Sequence, residues 1–281
     1  MQHPTVKISK NKDGRDSTID IAKAIGIILM IIGHCHGLPW LFRNFIFSFH
    51  MPLFFIFSGY FYKPQIIKSL IFSGFKHLVR PYLITSLAAI LLCVIAQHYD
   101  SAGKKIIGMM MSNGGQACEK YGSTLPLIGP IWFLLALFWC KIFYAYIKQR
   151  TIYPLALSFI ISVCAFIVGK YIVNLPFGIL TGFCGMVFYA MGDYWKNKLT
   201  TPISCKYLIV GVIIWALCIW KSHLEIATFD CKHYPISMFA AFIGTYITYL
   251  VSKKTPRFIK NTMIWLGQNT LLILCYHTIS F

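Results

Sequence analysis

Nine apolar runs, each close to the length of a membrane-crossing helix, divide this chain. They cover residues 19–36, 43–62, 81–97, 129–147, 152–169, 175–195, 203–220, 234–251 and 263–281. A helix needs about 20 predominantly apolar residues to cross a bilayer. The reading that follows is an all-α polytopic membrane protein of nine transmembrane helices. A basic polar tail, 1–18, precedes a single membrane domain, 19–281. With 57% hydrophobic and only 12% charged residues, the composition excludes disorder and ordinary soluble folds. Residues 66–80 mix apolar and basic positions and predict an interfacial amphipathic helix.

Charge gives the orientation. If the tail is cytoplasmic, eighteen Lys and Arg fall in inside segments, among them Lys63, Arg80, Lys141, Lys196 and Lys198, and seven fall outside. That bias is the positive-inside pattern, and it predicts a cytoplasmic N-terminus in a cell (inner) membrane. The net charge of +18 would otherwise suggest nucleic acid. Here the basic residues sit in short loops rather than on one patch, so the expected partner is the bilayer. The ten cysteines show no CxxC pair or regular spacing, which points to neither a zinc site nor a disulfide framework. Cys118 and Cys231 lie in outer loops, where an oxidising compartment would allow a pair.

The first run is unusual in what it buries. It carries Asp20, Lys23 and His34. Ionisable groups inside a membrane span are costly and face a protein or water cavity. Lys23 and His34 return to within about 20° of one azimuth, and Asp20 and His34 to within about 40°. Asp20 and Lys23, three apart, are spaced to pair. One stripe of this helix therefore holds a carboxylate, an ammonium and, roughly 16 Å further out, an imidazole. His50 in the second run and His277 in the last are expected at the same outer level. Trp132, at the outer entry of the fourth run, is either an interface anchor or a stacking platform. Gln268 and Asn269 are expected to hydrogen-bond another helix. Asp193 is expected to pair locally with Lys196 and Lys198. The outer loops 98–128 and 221–233 are long enough to cover a site.

Residues 15–64 also carry a resemblance. A basic residue, ten intervening positions and then His, with Asp three before the basic residue, is followed by SFHMPLFFIFSGYFYKP. This pattern resembles the first two spans of the integral-membrane acyltransferase-3 family, and within it the fucose 4-O-acetylase-like and surface-polysaccharide O-acetyltransferases. Looser matches are Arg80-Pro81-Tyr82, Gly129-Pro130-Ile131-Trp132 and Leu266-Gly267-Gln268-Asn269-Thr270 before His277. The resemblance implies transfer of an acyl group, usually acetyl, from acetyl-CoA to a hydroxyl of a cell-surface or lipid-linked glycan. It assigns catalysis to His34, Lys23 and Asp20. It places Lys23, Arg15 and Arg80 on the acyl-CoA side, and His50, Trp132 and His277 on the acceptor side. Acetyl-CoA enters as donor substrate, with no tightly bound cofactor and no metal. The chain departs from the family in having Lys23 where many members have Arg, and nine spans where ten are usual.

The residues themselves suit this chemistry. A neutral imidazole takes a proton from a hydroxyl near neutral pH, and a lysine holds an entering anion as a point charge. The competing reading is a transporter or proton-coupled exporter using Asp20, Lys23 and His34 as an ion path. A third is a non-catalytic membrane partner.

Overall fold

The computed structural model describes residues 16–35, 37–112, 128–172, 175–196, 198–199, 205–221 and 223–279. The chain is an all-α membrane protein. Helix α1 (Ser17–Gly33) opens on Asp16, whose side chain caps it by accepting the Thr18 N–H at 2.9 Å. It stops at Gly33 rather than running to 36, and His34 is its C-cap, still in helical conformation at φ −92° and ψ −5°.

The second expected span is two helices, α2 (Trp40–Phe47) and α3 (His50–Tyr60). Pro52 has no N–H to give the Ser48 carbonyl, and its ring would crowd that group. The helix therefore breaks at Phe49 (φ −146°) and restarts at His50. The separate interfacial helix expected at 66–80 is not separate. Helices α4 (Ile67–Gly74) and α5 (Arg80–Ile95) join through a π turn at Phe75–Val79 into one helix of 29 residues. The wide turn absorbs the hydrogen bond that Pro81 removes.

Helix α6 (Tyr99–Met111) folds the first part of the expected 98–128 loop. Then follow α7 (Trp132–Lys148), α8 (Pro154–Tyr171), α9 (Ile179–Trp195), α10 (Cys205–Lys221), α11 (Tyr234–Lys253), α12 (Arg257–Gln268) and α13 (Thr270–Ile279). Four helical stretches among the described residues are long and apolar enough to cross a membrane by length and composition: Trp40–Tyr60, Ile67–Ile95, Pro154–Tyr171 and Tyr234–Lys253. The outward faces of α5 and α10 are apolar and uncovered, with Ile84, Leu87, Leu91, Ile209 and Ile213 exposed, as lipid-facing positions require.

Helix α9 is the hub and packs on α3, α7 and α8. It crosses α3 at van der Waals contact of the two backbones. A Cβ on Gly59 would fall 1.9 Å from the Tyr189 carbonyl oxygen, and one on Gly192 1.9 Å from that of Ile56. No other residue fits those two positions without moving a helix. Helix α1 lies against α3, α11 and α12. Its inner stripe faces a space enclosed by α3, α7, α9 and α13.

Candidate active site

The expected stripe on α1 is present. Lys23, Ile27 and Met30 line a cavity of about 610 Å³, and His34, one turn further, lines a smaller one of about 30 Å³. The steps of four, three and four residues keep one face inward. Lys23 Nζ donates to Asp20 Oδ1 at 3.1 Å, and Gln268 Nε2 donates to Asp20 Oδ2 at 3.4 Å. The carboxylate is thus held from its own helix and from the end of α12. Gly267 makes the second contact reachable, because a Cβ there would sit 1.7 Å from the Asp20 carbonyl oxygen. Gln268 bonds across helices as expected. Asn269 does not: it donates to Trp265 of its own helix at 2.8 Å.

The larger cavity falls within the volume range of ligand sites. Its walls come from α1, α3, residues 61–65, α7, α9 and α13. Two cations besides Lys23 border it, Lys63 and Lys141. Lys141 corrects the charge count, which puts it with the inside loop charges although the fourth apolar run, 129–147, contains it. Helix α7 runs on to Lys148, so Lys141 is a half-buried helical residue facing the cavity. It has no ion-pair partner among the described residues. Tyr62 and Tyr189 also line the wall. Tyr62 is only 4% exposed, and its hydroxyl has no hydrogen-bond partner among the described residues. Arg80 is exposed and not part of the wall. Arg15 lies outside the described residues, as do His36 and Cys118. Phenylalanines 54, 57 and 133 with Leu134, Leu137 and Leu274 make the rest of the surface apolar.

The three imidazoles converge. The rings of His34 and His277 meet edge to face with centroids 5.4 Å apart. The Phe47 ring meets both His34 and His50, with centroids 6.2 Å and 4.9 Å away. Nδ1 of His34 lies 2.7 Å from the Met30 carbonyl oxygen, and Nδ1 of His50 lies 2.9 Å from that of Ile46. A carbonyl only accepts, so each Nδ1 carries the proton and each Nε2 is the basic nitrogen. Such a backbone contact fixes both tautomer and ring orientation.

Trp132 is buried in the wall of the small cavity beside His34 and His50 rather than exposed to lipid. That cavity is completed by Glu225, which the sequence reading placed only in an outer loop. Met51 borders both cavities. Met51 thus forms a wall common to the imidazole level and the cation-lined cavity, with Met30 lining the latter.

Asp193 corrects another expectation. It accepts from Tyr144 Oη at 2.7 Å and pairs with Lys148 at 3.0 Å, both on α7. Lys196 donates instead to the Tyr62 carbonyl at 2.9 Å, and Lys198 to the Tyr194 hydroxyl. This network ties α7 to α9 and borders the inner cavity through Tyr62 and Tyr189. Cys231 is buried, and its thiol donates to Ser237 Oγ at 3.1 Å.

No curated protein and no solved structure matches the chain. One family does: its profile, described as an acyltransferase domain, matches residues 16–280. That stretch contains the whole stripe, both cavities and all three converging histidines. The chain belongs to the acyltransferase-3 family of membrane proteins.

Proposed function

We propose that this membrane acyltransferase moves an acyl group, acetyl in the first instance, from cytoplasmic acyl-CoA to a hydroxyl of a cell-surface or lipid-linked glycan. In this reading nine transmembrane helices start from a cytoplasmic N-terminus in the cell's inner membrane. The 610 Å³ cavity receives the donor. Lys23, Lys63 and Lys141 face its phosphates as point charges, and Asp20 keeps Lys23 oriented. The thioester end points up the apolar wall toward Met30 and Met51. His34 Nε2 takes the proton from the acceptor hydroxyl as its oxygen attacks the thioester carbonyl. The C–S bond then breaks, and the CoA thiolate leaves and is protonated. His50, Trp132 and His277 form the acceptor side. Arg15 is proposed as a further donor-side cation. Lys63 and Lys141 take the place first expected of Arg80.

The observation that carries the proposal is the alignment along α1: a cation-lined cavity beneath, an oriented imidazole above, and one methionine layer between them. The family membership favours group transfer over the ion-path reading. His34→Ala should lower acyl transfer by roughly 10² to 10⁴, the usual worth of a general base. Mass spectrometry of cell-surface glycans, with and without the variant, reads this as loss of the mass of one acetyl group. Unchanged acetylation at normal membrane levels of the variant would refute the assignment.

A further inference from the structure

We propose that Glu225 is an acceptor-binding residue: its carboxylate takes hydrogen bonds from neighbouring hydroxyls of a polyhydroxylated acceptor, across the small cavity from His34. The inference rests on reading His34 as the base, and it names what holds the acceptor there.

Glu225 is nearly two hundred positions from His34 in sequence, yet both border the same 30 Å³ cavity with His50 and Trp132. The segment that brings it there is built, not loose. The Glu225 N–H donates to the Asp230 carbonyl at 2.9 Å, and the Asp230 N–H returns the bond at 3.0 Å. His223 Nε2 lies 2.8 Å from Asp230 Oδ2. Lys170 of α8 donates to the Cys231 carbonyl at 2.8 Å. Phe229, in left-handed conformation at φ +55°, packs so closely on α8 that a Cβ on Gly169 would fall 2.5 Å from its ring. Asp230 is thus occupied within the hairpin, while Glu225 is turned to the cavity.

The carboxylate accepts no hydrogen bond from a described residue. Burial pushes its pKa up, and the Arg43 guanidinium opposes that. A half-buried acceptor without a donor is unfavourable, and the site is complete only when donors arrive. A carboxylate has only acceptor sites, enough for two adjacent hydroxyls at once. Trp132 on the same wall offers an apolar face to the C–H side of a sugar ring. The cavity at this size holds about one water, so the acceptor enters as the hairpin side opens.

The test uses the full-length protein in lipid nanodiscs and a panel of methyl hexopyranosides, observed by saturation-transfer NMR. With the native protein, ring protons of at least one glycoside should receive saturation. Glu225→Gln should weaken that binding roughly tenfold or more, the loss expected for a charge-assisted bond, and Glu225→Asp should recover part of it. Acetyl-CoA binding to Glu225→Gln should stay at the native level. Equal glycoside binding by native protein and Glu225→Gln, or none by the native protein, overturns the proposal. So does parallel loss of acetyl-CoA binding, which would make Glu225 a prop for the hairpin. Thioester turnover by the native protein is measured separately and judges the acyl-transfer reading on its own.

Discussion

The two cavities on either side of the methionine layer differ about twentyfold in size, 610 against 30 Å³. The inner one is wide, bordered by three lysines, and walled by helices. The outer one is nearly filled, bordered by two imidazoles, an indole and a carboxylate, and roofed by a hairpin. On the proposed acyl-transfer reading, the contrast teaches that this conformation is shaped to receive the donor and closed to the acceptor. An acyl group handed across the layer would meet a base but not yet an acceptor. The difference also separates two kinds of construction. Helices with residues 61–65 set the inner space, whereas a short stretch of irregular backbone closes one side of the outer one.

Four experiments break or sharpen this contrast. The largest effect is expected at the boundary. Met51→Trp enlarges the side chain that both cavities share, and a misplacement of about 1 Å there lowers turnover roughly 10²-fold. Acyl-CoA binding, measured by calorimetry, should persist. If turnover is unaffected, the donor does not cross this layer. A smaller effect is expected inside. Lys141→Met should raise the KM for acyl-CoA roughly tenfold by removing a charge-assisted contact, leaving acceptor KM alone. Lys23→Arg should keep more activity than Lys23→Ala, and equal activities would remove Lys23 from donor binding.

The smallest effect is expected outside and concerns pH. Burial, with a smaller push from Asp230, raises the Glu225 carboxyl above its ordinary value against the pull of Arg43 and His223. The closed hairpin then binds more protons than the open one between the two values. Its closure is most favourable below the ordinary glutamate range and weakens as pH rises through the raised folded value. Hydrogen exchange of the 224–231 amides, corrected for intrinsic rates, should show protection falling over that interval. A flat profile that matches Glu225→Gln would remove this carboxyl as the source.

Much of the inner arrangement was legible because it follows the helical period. Asp20, Lys23 and His34 share a face for the same reason that any residues spaced three, four, seven and eleven apart do. The Asp20–Lys23 pair was readable from spacing, but for His34 and His277 only a similar level along the helices was expected, not that their rings meet. Lys141 was not. Charge counting assigns it to the inside loop although the fourth run, 129–147, contains it, and nothing local says that this position of α7 faces inward. Asp193 was misplaced for the opposite reason: its sequence neighbours Lys196 and Lys198 were at hand, but Lys148 and Tyr144 reach it across the α7–α9 contact. The break at Phe49 had a signal in Pro52, passed over as continuous apolar character, whereas at Pro81 the reading ends one helix and begins another where a π turn carries a single helix through. Glu225 had none. Its place depends on Lys170 and Phe229 fixing a hairpin against α8, a tertiary event that no pattern in residues 221–233 announces.

The near-touching of Gly267 and Asp20 has a consequence for assembly. Gln268 reaches a carboxylate 248 positions earlier in the chain, and His277 meets His34 only a few residues later. Neither partner exists until at least 248 positions beyond Asp20 have been synthesised. The opening helix must therefore wait in the membrane with its acid braced only by Lys23. Helices α12 and α13 then act as a latch, so that a product terminated before them inserts but never acquires the finished imidazole cluster.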